Sequence, residues 1–168
     1  FSLDNATDAV LIEEKIHLDE LLERITYKGI PDIRVIVFKK VPVMAMLRLP
    51  TKKSEGKANL HSGGIGLGID LQTGITKASP YYKKAQSVNP DTGQQLTGLQ
   101  IPYWQEIMQM SARIQDIIPL GYMGIDYVID KRFGPQILEI NVRPGLEIQN
   151  INGIGLADIL ENLDRNSQ

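Results

Sequence analysis

An alternating run, a short turn and a second alternating run leave residues 124–145 few folds to choose from. Gly124-Ile125-Asp126-Tyr127-Val128-Ile129-Asp130 reads as one strand, residues 131–134 as a tight turn, and Pro135-Gln136-Ile137-Leu138-Glu139-Ile140-Asn141-Val142 as a second strand, with Arg143-Pro144-Gly145 behind it. Strand side chains alternate between faces, so Glu139 and Asn141 share one face. Leu138, Ile140 and Val142 are expected on the other, towards a core. With a turn near Arg132 and Phe133, Asp126 lies opposite Glu139 to Asn141. Two carboxylates and an amide then converge on one patch. Magnesium takes hard oxygen ligands and usually keeps waters and substrate phosphates among them, so three protein oxygens leave it room. Residue by residue, a solvated polar face is the plainer alternative, with Asn141 simply starting the turn before Pro144.

The 168 residues are enough for one domain with a real core. Eighteen basic against 20 acidic residues leave a net charge of −2, which implies no strong field for nucleic acid or for an anionic membrane. There is no Cys, so no disulfide framework and no thiolate chemistry. No apolar run approaches the roughly 18–20 residues that span a bilayer. No signal-peptide pattern opens the chain, and a cytoplasmic location is expected.

Residues 9–16 read as a strand and residues 18–25 as a short helix with early acids, broken by Gly29 and Pro31. Residues 32–39 and 43–49 read as a hairpin around Lys40-Val41-Pro42, and 65–71 with 74–78 as another. Residues 79–98 read as irregular, with a strong turn at 89–93. Residues 101–118 give the clearest helix, with Pro102 in its first turn. Its Trp104, Ile107, Met108, Ser111, Ile114 and Ile118 fall at core spacing. A last helix is expected over 157–163. Antiparallel hairpins with a few helices make the class α+β, a mostly antiparallel sheet with packed helices.

Three further groups bear chemistry. Asp32, Arg34 and Arg48 share a face by alternation, and Arg suits bidentate phosphate or carboxylate recognition. An exposed polar sheet face is the alternative. Asn59-Leu60-His61-Ser62-Gly63-Gly64 sets an amide and a His in a loop whose glycines permit close approach to a phosphate. His61 by itself reads better as a loop residue. Two distant His and no Cys argue against zinc. Arg143, two beyond Asn141, shares the Glu-x-Asn face by alternation and could stabilise a transferring phosphoryl group. Otherwise it is a surface Arg before a turn.

The strings GIDYVID…QILEINVRPGLE, DIRVIVF…MAMLRL and KANLHSGG, in their order along the chain, resemble the ATP-grasp superfamily. The combination looks most like its α-L-glutamate ligase branch, and VLIEEKI resembles that family's hinge strand. The resemblance runs from about Ala9 to Ile154. It implies the C-terminal subdomain of an ATP-grasp module, with ATP and Mg2+ (or Mn2+) as cofactors. Asp126, Glu139 and Asn141 match magnesium ligands. Glu13, Glu14, Lys15 and Ile16 match the hinge that meets adenine, and Asp32 the acid that meets ribose. Arg34, Arg48 and Asn59 match residues around the phosphates and the acyl-phosphate. Arg143 departs from the glutamate ligases, which commonly carry a small residue there, and looks like the Arg of other branches.

The implied reaction joins a small-molecule or peptide carboxylate to an amino acid or other amine, through an acyl-phosphate. The alternatives are an ATP-grasp phosphotransferase that stops at phosphoryl transfer, and a nucleotide-binding module without catalysis. No nucleic acid or membrane partner is expected, and an oligomer is left open. The opposite subdomain, with its paired lysines and Gly-rich lid, finds no counterpart before VLIEEKI. Residues 1–168 are therefore expected to be one domain, the C-terminal portion of the module. As such it would fold alone, bind ATP weakly and need the rest of the ATP-grasp chain. Substrate-selecting residues are expected within 79–98.

Overall fold

A computed structural model describes residues 10, 12–80 and 87–165. Among these, six strands form one antiparallel sheet in the order β4-β3-β2-β1-β5-β6. The strands are β1 (Asp32–Phe38), β2 (Val41–Leu49), β3 (Ile65–Ile69), β4 (Thr76–Lys77), β5 (Tyr122–Asp130) and β6 (Gly134–Asn141). The helices are α1 (Glu20–Ile25), α2 (Trp104–Arg113), α3 (Glu147–Asn152) and α4 (Leu156–Arg165). The α+β expectation is met. No helix among the described residues is long and apolar enough to cross a membrane.

The sheet divides two apolar cores. On one face Ile33, Val35 and Val37 of β1, Ala45, Leu47 and Leu49 of β2, and Ile125, Tyr127 and Ile129 of β5 meet Leu22 and Ile25 of α1 and Trp104 and Ile107 of α2. Tyr127 is wholly buried, and its hydroxyl is satisfied by Ser111 at 2.8 Å. On the other face Ile36, Met44 and Met46 meet Ile148 and Ile151 of α3 and Leu156 of α4. The sequence IGLGI makes that second contact close. A Cβ on Gly66 would sit 2.6 Å from Ile151 Cδ1, and one on Gly68 2.7 Å from Asn152 Oδ1. The Asn152 amide donates to Ala45 O at 3.1 Å, tying α3 down.

Several expectations change. The strand expected over 9–16 does not form across residues 12–16, where the side chains of Ile12, Glu13, Glu14 and Lys15 are exposed and, among the described residues, no neighbouring strand supplies a ladder; Ala9 and Leu11 lie outside the described residues. The helix expected from 101 starts at Trp104, because Tyr103 takes a left-handed conformation (φ 55°), and it ends in a 3-10 turn, Ile114–Asp116. The first hairpin turns at Lys39 and Lys40, both at positive φ, and Phe38 pairs with Val41. Residues 65–71 and 74–78 shorten to β3 and β4. The turn at 89–93 forms, with Gly93 at φ 70°. Helix α3 has no counterpart among the elements expected from the sequence.

Strand β6 departs most. Leu138 and Val142 are exposed, at 54% and 58%, rather than in the core. A bulge opposite Asp126 and Tyr127 causes this: Glu139 pairs with Asp126 but Ile137 with Tyr127, so Leu138 is the extra residue. Ile137 and Ile140 pack on the first core instead. Val142 lies beyond the strand end.

Candidate functional site

The sheet face that α3 covers at one end turns charged at the other. Beyond Ile36 on β1 come Arg34 and Asp32; beyond Met46 on β2 comes Arg48; beyond Gly124 on β5 comes Asp126. Register sets them side by side, Asp32 opposite Arg48 and Arg34 opposite Asp126. Both pairs are bidentate. Arg34 donates to Asp126 through Nε at 2.7 Å and Nη2 at 2.6 Å. Arg48 donates to Asp32 through Nε at 2.5 Å and Nη2 at 2.9 Å. The Arg48 Nη2 also reaches Asp126 at 2.8 Å, joining the pairs into a quartet of two acids and two guanidiniums. The quartet is largely buried, with Asp126 the most enclosed.

Burial acts on this quartet unevenly. Desolvation pushes the Asp32 carboxyl up to about 6, against the opposing pull of Arg48. Burial also opposes the charge on Arg48, but its hydrogen bonds to Asp32 and Asp126 outweigh that and hold it above its ordinary value.

Glu139 and Asn141 complete the patch. Glu139 lies directly opposite Asp126, and Asn141 opposite Gly124, so the facing expected from alternation is found. The Asn141 amide is 3.5 Å from Asp126 Oδ2, at the outer limit of a hydrogen bond. Glu139 is exposed. The donor set suits magnesium in kind, since it is all oxygen. Among the described residues no three His, Cys, Asp or Glu cluster for a metal. Asp126 already serves two arginines, so a metal would compete with them for it.

The remaining expected residues are spread out. Arg143 lies past the end of β6, where alternation no longer applies, and is exposed. Pro144 beside it sits over Gly124, where a Cβ would come within 2.6 Å. Asn59 caps a 3-10 turn, Leu60–Ser62; its Oδ1 accepts the His61 N–H at 2.9 Å, and no hydrogen bond joins it to the quartet. Glu13, Glu14, Lys15 and Ile16 lie at the far end of β5, where Glu14 pairs with Arg132 at 2.6 Å. Asp32 spends both carboxylate oxygens on Arg48, so in this form it anchors that guanidinium. Asp130 and Arg132 organise the segment near Glu14 and were not expected from the sequence; the Asp–Lys–Arg turn residues were their only signal. Of the irregular stretch 79–98, residues 81–86 lie outside the described residues. Pro90 and Asp91 line a cavity of about 450 Å3 with Lys53, His61, Gly64 and Glu147.

Solved structures of the ATP-grasp ligase PsnB resemble the chain. One, complexed with a phosphomimetic variant of a minimal precursor, Mg and ADP, aligns at TM-score 0.48 and 12% identity, over 84% of this chain and 34% of that one. Another, with the minimal precursor, aligns at TM-score 0.48 and 11% identity, over 84% and 37%. The chain thus spans about a third of the length of these proteins. Among curated proteins none matches it. A family described as sugar-transfer associated ATP-grasp matches residues 1–165, nearly the whole chain. That match agrees with the superfamily expected from the motifs, and the glutamate ligase branch is not shown by it. The chain belongs to the sugar-transfer associated ATP-grasp family.

Proposed function

We propose that this chain forms the metal and triphosphate wall of an ATP- and Mg2+-dependent carboxylate–amine ligase, with the glutamate ligase-like reaction expected from its motifs. The observation that carries the reading is the quartet Asp32, Arg34, Arg48 and Asp126, set edge to edge with Glu139 and Asn141 on one face. Two buried guanidiniums held on a rigid sheet beside oxygen donors are suited to a polyphosphate and its cation.

In this reading Arg34 and Arg48 turn from the aspartates to the phosphate oxygens, and Asp126, Glu139 and Asn141 are left to hold the metal. Bound there, magnesium would neutralise charge on the transferring phosphoryl group. A substrate carboxylate oxygen attacks the γ-phosphorus; the new O–P bond forms as the bond to the β-phosphate oxygen breaks, and ADP leaves. An amine nitrogen then attacks the acyl carbon, forming C–N as the C–O bond to phosphate breaks, with loss of the amine proton. Arg34 and Arg48, with Arg143 at the rim, would stabilise charge in both steps. The segment Glu13 to Ile16 would meet the adenine edge and Asp32 the ribose when released from Arg48. Asn59 would approach the phosphates from the Gly63-Gly64 loop.

Glu139→Ala tests the metal assignment, because Glu139 is exposed and its loss spares the fold. Nucleotide affinity should lose its Mg2+ dependence in calorimetric titration. An unchanged Mg2+ dependence would remove Glu139 from the ligand set. A product assay on the protein acting with its full module separates ligation from phosphoryl transfer: phosphate with a new amide bond, against a phosphorylated product.

A further inference from the structure

The segment that leads into α1 is held at one place, the turn between β5 and β6. Asp130, at the end of β5, is 1% exposed. Its carboxylate accepts the His17 N–H at 2.8 Å and the Arg132 N–H at 2.8 Å. It also accepts Arg132 Nε and Nη2, each at 3.1 Å. The remaining Nη1 of Arg132 reaches out to Glu14 Oε1 at 2.6 Å. Two backbone bonds complete the join: Lys131 N–H to His17 O at 2.8 Å, and Asp19 N–H to Ile129 O at 3.1 Å.

Packing covers the segment only in part, with Ile16 and Leu18 half-buried. On its other flank Lys15, Ile16, His17 and Leu18 line a cavity of about 420 Å3, faced by Thr26, Lys28 and Ile30. With open space on that side, the hydrogen bonds to Asp130 and the turn do much to fix the backbone. Hydrogen bonding to Arg132 in turn holds the Asp130 carboxyl well below the usual carboxylate range, so the join stays charged across the physiological range.

The strand that receives the segment is also the strand that carries Asp126, four residues earlier. At about 3.3 Å per residue that is roughly 13 Å along a rigid element. A base held by the segment and a metal held at Asp126 would therefore be spaced by β5.

We propose that Asp130 and Arg132 are positioning residues that set the Glu13–Ile16 segment at a fixed height relative to Asp126, and so align the adenine end of a nucleotide with its phosphates. The proposal rests on the reading that this segment takes the base. In this proposal neither residue need touch the nucleotide. Arg132 acts through Glu14 and through Asp130, and Asp130 acts through His17.

Arg132→Gln is the variant of choice, because Arg132 is partly exposed and can be replaced without opening the core. Two readouts apply in the presence of Mg2+: amide hydrogen exchange at His17, Asp19 and Lys131, whose N–H groups make the join, and affinity for ATP against inorganic tripolyphosphate. Exchange at these amides should quicken. ATP affinity should fall about tenfold, equivalent to about 1.4 kcal/mol, while tripolyphosphate affinity stays level. Arg132→Lys, which keeps the charge and loses the fork, should fall between the two. Equal loss for both ligands, or unchanged exchange, overturns the proposal. If the unaltered protein binds tripolyphosphate as tightly as ATP, the adenine reading fails and the proposal with it. A preference for ATP that survives Arg132→Gln removes the proposal alone.

Discussion

At Asp32 burial and ion pairing pull against each other. A carboxylate gripped by two guanidinium nitrogens would ordinarily titrate low. Here desolvation is the larger effect, and the carboxyl is pushed up to about 6 from 3.8. The folded chain therefore takes up this proton before the unfolded chain does, as pH falls. Asp32 accordingly adds most to stability below pH 3.8, and that contribution is lost as pH rises to about 6. Relative to Asp32→Asn, the wild-type chain should lose stability between about pH 4 and 6 and hold a constant difference above that, as read by urea unfolding at each pH. A difference that grows with pH would mean that the ion pair outweighs desolvation. Alternation along the strands placed Asp32, Arg34 and Arg48 on one face, and it placed Asp126 opposite Glu139. It could not show that the arginines spend themselves on Asp32 and Asp126, because a face is a matter of parity and a partner is a matter of register between strands far apart in sequence.

Elements show the same division. The strands of the two long hairpins were legible because each carries a period of two. Strand β6 misled at Leu138, since a bulge inserts one residue without any local signal and shifts the facing of its neighbours. Helix α3 escaped notice because six residues give too short a period to read. Its imprint was present all the same, in the alternating glycines of β3, while Gly124 bears that of the segment ahead of the helix. Gly124 is the sharper case. The atom that a new Cβ would meet, at 2.6 Å, belongs to the rigid ring of Pro144. Gly124→Ala should cost about 1–3 kcal/mol, as overpacking does, measured by thermal or urea unfolding. It should also displace residues 143–145 from the rim of the site and weaken nucleotide binding. A variant as stable as the parent would show that this segment yields freely.

Across the whole molecule, the sheet keeps two kinds of chemistry apart: a continuous apolar layer beneath, and above it a layer that changes from apolar under α3 to fully ionic at the Asp32 end. The composition, near charge balance overall, gave no hint of so dense an ionic patch. Its pairing has a consequence for how ligands arrive. Separating buried opposite charges without replacement costs several kcal/mol. A cation that takes Asp126 must displace Arg34, and a polyanion that takes Arg34 must displace Asp126. Neither exchange is favourable alone, yet together each displaced group meets a new partner at once. Arg34→Gln should accordingly strengthen binding of free Mn2+, followed by its paramagnetic resonance signal, while it weakens binding of nucleotide. Equal Mn2+ affinity with and without Arg34 would deny the competition. Left to itself the quartet is thus a closed circuit of charge, and it opens most readily to a visitor that brings both poles with it.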